Sequence, residues 1–248
     1  MCLLAIQYQT ARDAPILVAQ NREERFDRPS QAPRIQSGRP RVVCGIDRKA
    51  GGTWFGVNQH GMFATVSNRP KRTPTPEPRS RGLLCREMLG VRTAKEAIEL
   101  AVKEVETGRY DGANFVCADA EFGAVVYGGD VVDVVELKPG LHLLTNGRLD
   151  DRSDPRQEFV RRLLTLQRLD SSVAFLAVAS RTFSRNPDAT GKRGVVITGN
   201  EVGTVSSSLL SLSARNQNAV YQYAPGSPGE NPYDDVSALL RQVLSTDR

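Results

Sequence analysis

Cysteine is the most nucleophilic side chain available near neutral pH, and this chain sets one at position 2, in MCLLAIQYQT. A small residue there suits removal of Met1 by an aminopeptidase. Cys2 would then carry a thiol and a free α-amine of pKa about 7.7–8.0, a nucleophile and its base on one residue. The α-ammonium and a nearby arginine would lower the thiol from its usual pKa of about 8.5, with a nearby carboxylate opposing them, so a modest depression is expected. The alternative is that Cys2 is a small apolar residue opening a buried strand.

A nucleophile of this kind needs a group to hold its amine, donors for an oxyanion and a wall for the substrate. In AQNREERF, Asn21, Arg22 and Glu23 follow the second apolar run, where a hairpin would return the chain beside Cys2. Glu23 can hold the ammonium, and Asn21 or Arg22 can bind a substrate acyl or carboxylate group; the alternative is a solvated charged turn. Asn68 in FATVSNRP and Asn146 in LHLLTNGRLD fall at strand ends. Side-chain amides so placed are either turn residues or rigidly held oxyanion donors. Trp54 in GGTWFG is a pocket wall or a core residue. His60, in NQHG, reads as an exposed turn residue, and His142 as one face of a strand.

The elements that would position these groups follow from periodicity and punctuation. CLLAIQYQ and PILVAQ read as a hairpin joined by TARDA, followed by short strands VVCGI, TWFGV and GMFATVS. Residues 69–80 hold four prolines and read as a loop or lid. Two helices come next, RGLLCREML and TAKEAIELAVKEVETG. In the second, Thr93 and Glu96 form a capping box, Gly108 closes the helix, and Ile98, Ala101, Val102 and Val105 line one face. Strands resume with ANFVCADA, GAVVYGG, DVVDVVEL and LHLLTN. A helical pair over about 154–180 opens at Asp154-Pro155, with VAFLAVAS ambiguous between helix and strand. GVVIT, GTVSSSLLSLS and AVYQYAP are the last strands before a helix over about 234–246. This order lacks the strict alternation of a doubly wound sheet, and antiparallel sheets between helical layers fit it best. No linker or repeat divides residues 1–248, so one domain is expected.

Composition narrows the function. At 248 residues, 40% hydrophobic and 25% charged, the chain has enough apolar surface for a sizeable core. It holds no run of roughly 20 apolar residues and no signal-peptide pattern, which predicts no membrane span and a cytoplasmic protein. Cys2, Cys44, Cys85 and Cys117 form no CxxC pair and there are two histidines, so no metal or other cofactor is expected. The net charge of +5 comes with 27 Arg against 6 Lys, but acidic residues are interspersed. No stacking series or basic amphipathic helix accompanies it, so nucleic acid is not expected as a partner.

MCLLAI, AQNREERFDRP, GGTWFGVNQHGMFATVSNRP, the LLTNG turn and GTVSSSLL, in that order, resemble the NRDE family, which includes the Transport and Golgi organisation 2 proteins. The family's Asn-Arg-Asp-Glu motif stands here as Asn21-Arg22-Glu23-Glu24. The resemblance implies the N-terminal-nucleophile hydrolase fold, a four-layer αββα sandwich of the α+β class. It extends to the choloylglycine and penicillin V acylase group of that superfamily. By that likeness Cys2 is the nucleophile, Glu23 takes the place of the amine-binding aspartate, and Asn68 and Asn146 take the places of two asparagines. Gln20 stands at an arginine of that group, and Val205 where NRDE relatives often carry arginine. The implied activity is hydrolysis of a non-peptide amide. The alternative is a binding or trafficking protein using the same pocket, so the expected partner is a small molecule: an amide, an acyl-lipid or haem.

Overall fold

In the computed structural model, which describes residues 2–189 and 193–245, the apolar runs form two antiparallel sheets, each in its own compact unit. Met1 and residue 246 of the expected terminal helix lie outside the described residues.

The first unit comprises Met1–Arg28 and Pro139–Ala238. Its strands are β1 (Cys2–Tyr8), β2 (Ile16–Arg25), β10 (Gly140–Leu144), β11 (Val202–Leu212), β12 (Val220–Ala224) and β13 (Asp234–Asp235), in the spatial order β10-β1-β2-β11-β12-β13. Helices α3 (Pro155–Leu164) and α4 (Ser172–Phe183) cover one face. Leu3, Ala5, Leu17, Ala19, Leu143 and Leu209 from the strands pack there with Val160, Leu164, Phe175, Ala179 and Phe183. Asp154 caps α3 by accepting from the Arg156 and Gln157 amides, with Pro155 at the first helical position. VAFLAVAS resolves as helix α4, which the Ser171 hydroxyl caps.

The second unit comprises Pro29–Lys138 and Leu239–Arg248. Its seven strands run in sequence order as a meander: β3 (Ser30–Gln36), β4 (Val42–Asp47), β5 (Phe55–Asn58), β6 (Phe63–Asn68), β7 (Ala113–Ala118), β8 (Gly123–Gly128) and β9 (Asp133–Glu136). Helices α1 (Arg81–Met88) and α2 (Ala94–Glu106) are inserted between β6 and β7 and pack on one face through Leu84, Met88, Ile98, Ala101 and Val105. The Thr93/Glu96 capping box forms as expected, and Gly108 follows the helix at φ +73°, a left-handed conformation that glycine adopts without strain. The proline-rich loop 69–80 is fastened rather than loose: Asp130 accepts from Arg72 N, Asp111 from Thr75 N, and Glu104 from Arg79. The final helix, α5, spans Ser237–Leu244.

One strand is added to those expected, and two local expectations change. β3 carries Pro33, which argues against a strand, yet β3 lies at the sheet edge, where proline costs no ladder bond on the open side. GVVIT forms no strand; Val195 and Val196 instead bond through their amides to the Arg185 carbonyl, in irregular chain. NREER is no solvated turn. It continues β2: Asn21 and Arg22 lie between β1 and β11, Glu23 pairs with Thr204 of β11, and all three side chains are buried, Asn21 and Glu23 against α4 and α3.

Candidate active site

Cys2 is the first residue of β1 and pairs with Arg22 of β2, while Leu3 pairs with Asn21. Side chains alternate across a pleated sheet, and Leu3 belongs to the face covered by α3 and α4. Asn21 and Glu23 share that helix face: Asn21 donates from Nδ2 to the Phe183 carbonyl of α4 at 3.0 Å, and Glu23 binds Arg156 of α3. Cys2 and Arg22 therefore point to the other face. Glu23 reaches Cys2 by two routes, through its backbone N–H, which donates to the thiol, and through the charge of its carboxylate.

Asn146 lies two residues beyond β10, the strand that pairs with β1 on its outer side. The Cys2 amide nitrogen donates to Asn146 Oδ1 at 3.1 Å. Because that nitrogen can only donate, the atom of Asn146 facing it is the carbonyl oxygen, and the Nδ2 group keeps its two donors. The turn presenting Asn146 is itself held: Thr145 donates to Asp154 at 2.5 Å, and Gln157 Nε2 donates to the Arg148 carbonyl at 2.8 Å.

The Glu23 side chain is completely buried. Arg156 grips it with two nitrogens, at 2.6 and 3.3 Å, and also donates to the Val195 carbonyl at 2.9 Å. Burial pushes the Glu23 carboxyl up from its ordinary value, against the pull of Arg156. Burial also pushes the Cys2 thiol up, the Glu23 carboxylate adds to the rise, and the Glu23 N–H and Arg22 only partly offset it. With Met1 in the chain the balance lies above the thiol's ordinary value; the modest depression is expected of the chain without Met1, in which Cys2 carries its own ammonium. Arg22 lies 3.8 Å from Glu24 and beside Tyr223, whose hydroxyl bonds to Ser206, the register partner of Arg22.

Asn68 and Trp54 belong to the second unit. Asn68 is the exposed last residue of β6, opposite Ala113. Trp54 is buried with its indole against Gly45, where a Cβ would sit 2.6 Å from the ring, and its carbonyl accepts from Thr65 at 2.6 Å. His142 Nδ1 lies 2.7 Å from Asp150, whose other oxygen takes Arg161 and the Leu143 amide. Sequence reasoning missed Arg156, Gln157 and Thr145. The cap at Asp154-Pro155 marked the helix start, but nothing in the local pattern tied that start to Glu23.

The model of the family described as Transport and Golgi organisation 2 matches residues 1–182. The Transport and Golgi organization protein 2 homolog of Bos taurus is 32% identical over 145 residues, covering 54% of this chain and 51% of that protein. The Mus musculus homolog is 28% identical over 148 residues with the same coverage. The chain thus spans about half the length of the curated relatives it matches. Among solved structures, the Caenorhabditis elegans ortholog of N-acylethanolamine-hydrolyzing acid amidase superposes with a TM-score of 0.58 at 14% identity, covering 98% of both chains. The C2A mutant of conjugated bile acid hydrolase from Clostridium perfringens gives 0.53 at 10% identity, covering 96% of this chain and 93% of that one. Penicillin V acylase from Agrobacterium tumefaciens gives 0.50 at 14%, covering 90% and 83%. These likenesses show the fold class expected from the sequence, the α+β fold of the N-terminal-nucleophile hydrolases. With the family model matching most of its length, the chain belongs to the Transport and Golgi organisation 2 family.

Proposed function

We propose that the chain is an N-terminal cysteine amidohydrolase acting on small, non-peptide amides. The observation that carries this reading is the hydrogen bond from the Cys2 nitrogen to Asn146 Oδ1, on a residue whose thiol is buried and takes the Glu23 N–H. Removal of Met1 turns that nitrogen into an α-amine. Asn146 then accepts one of its hydrogens and leaves the lone pair for the thiol proton, directly or through one water. As the proton moves, Sγ attacks the amide carbon, and the carbonyl electron pair moves to oxygen. The Nδ2 donors of Asn146 are suited to that oxyanion. The ammonium then returns its proton to the leaving amine, a thioester remains on Cys2, and water releases the acid by the same route in reverse. Arg22, on the same face as Cys2, is suited to a carboxylate or acyl oxygen of the substrate.

The structural neighbours are named for N-acylethanolamines, conjugated bile acids and penicillin V, and amides of these three kinds are the first substrates to try. Protein shown by intact mass to lack Met1 should release amine from at least one of them, and Cys2→Ala should release none. Turnover equal in wild type and Cys2→Ala, or absent on all three, would sink the reading, as would retention of Met1. Asn68→Ala tests separately the oxyanion role that resemblance implies for Asn68, with a loss in kcat of roughly 100-fold expected for a lost donor.

A further inference from the structure

The first turn of α3 takes no part in the chemistry above, yet it touches what surrounds Cys2 on two sides. Arg156 makes a two-point grip on Glu23, and its remaining bond to Val195 fixes the guanidinium plane. The neighbouring Gln157 is fully buried; it donates to Thr145 at 3.3 Å and to the Arg148 carbonyl at 2.8 Å, and accepts from Asp151 N at 3.0 Å. Asp154 caps the same turn and takes the Thr145 hydroxyl. One helical turn thus holds both the carboxylate beneath the nucleophile's strand pair and the loop that presents Asn146.

We infer that Arg156 is a positioning residue of the Cys2 site, holding the Glu23 carboxylate charged and in place on the far face of the sheet from the thiol, while Gln157 and Asp154 hold the Asn146 turn. The inference rests on the reading of Cys2 as the nucleophile. A fully buried carboxylate left alone would take up a proton, and a paired arginine is what keeps it ionised. The ionised carboxylate in turn favours the protonated thiol across the strand. The charged groups involved are Arg22, Glu23 and, 3.8 Å from Arg22, Glu24 from β2 and Arg156 from α3, with Tyr223 of β12 beside Arg22 and the neutral Asn146 beyond the end of β10. Nothing in the sequence near Arg156 announces this role, because its partner is 133 residues away.

The test follows the pH dependence of iodoacetamide labelling at Cys2 by peptide mapping, in protein lacking Met1. Alongside it, the Glu23 carboxyl is followed by 13C NMR. In Arg156→Met, Glu23 should become protonated at neutral pH, and the Cys2 labelling profile should move to lower pH by roughly one to two units. Arg156→Lys keeps the charge and should restore a profile close to wild type. If Arg156→Met does not fold, Glu23→Gln takes its place, since a neutral amide mimics the protonated acid and should give the same shift. A reactive Cys2 whose profile is unmoved in Arg156→Met, or in Glu23→Gln where that replaces it, overturns the positioning role alone. A Cys2 that labels no faster than Cys44, Cys85 and Cys117 in every variant overturns the nucleophile reading and this inference with it. In that case the Glu23 titration still shows whether Arg156 sets the carboxylate's charge.

Discussion

Both units lay a pair of helices on one face of an antiparallel sheet, yet the two faces bury different things. Under α1 and α2 the contact is mainly apolar, built from Phe115, Val126, Leu84, Ile98 and their neighbours with Asn58 buried at the end of α1, and three of the four cysteines sit in it as inert thiols. Burial pushes Cys44 up to about 11 and Cys117 well above its ordinary value. Under α3 and α4 the same kind of layer carries Asn21, Glu23 and Gln157. The contrast between Asn58 and Asn21 makes the point. Asn58, at the end of β5, donates to the Leu89 and Val91 carbonyls and accepts from the His60 and Met62 amides, so it closes a turn completely. Asn21 donates to Phe183, while its Oδ1 is buried with no hydrogen-bond partner among the described residues. Buried polar groups in a purely structural layer are satisfied. Asn21, adjacent in sequence to the residue paired with Cys2, is an exception to that rule in the layer under α3 and α4.

The comparison breaks most visibly in the apolar layer. Phe115→Ala should cost about 3–5 kcal/mol in denaturant unfolding, the range for emptying a buried aromatic site. A loss below about 1 kcal/mol would mean that this layer is not the close-packed one. Asn58→Ala should follow at about 1–3 kcal/mol, because two backbone amides and two carbonyls lose their partner. Asn21→Ala should cost clearly less, having fewer bonds to lose. Equal losses would erase the distinction drawn between the two asparagines.

A smaller effect separates the layers by pH. Burial alone would raise the Asp150 carboxyl, but bonds from His142, Arg161 and the Leu143 amide outweigh it and hold the group below its ordinary value. A carboxyl with a depressed folded pKa stabilises the fold above its unfolded value of about 3.9, and the contribution is lost as pH falls through the folded value. The melting temperature of Asp150→Asn should therefore lie below wild type at pH 7, with the gap closing below about pH 4. A gap of constant size from pH 7 to pH 3 would rule out this account. The smallest effect expected is that of Cys2→Ala, under about 1 kcal/mol, since a single sulfur at a strand start leaves little cavity. A large loss there would make Cys2 a packing residue first.

Much of the fold was legible because its signals are local. Apolar runs broken by glycine or charged turns located most of the strands, and Thr93/Glu96 and Asp154-Pro155 placed two helix starts to the residue. Each of those signals resides in a few consecutive side chains that meet their own backbone. NREER resisted the same treatment, since a charged run reads as exposed unless something covers it. What encloses it is distant in sequence: β11 alongside it in the ladder, with Phe183 of α4 over Asn21 and Arg156 of α3 over Glu23. The orientation of the site was decided in the same way. The sequence by itself specified a cysteine at position 2, a carboxylate at 23 and an amide at 146. Only the strand register set the thiol and the carboxylate on opposite faces, put Asn146 on the Cys2 nitrogen, and brought Arg156 to Glu23. Pairing of distant strands is a collective outcome of burying both faces of a sheet, and no short stretch of chain contains it.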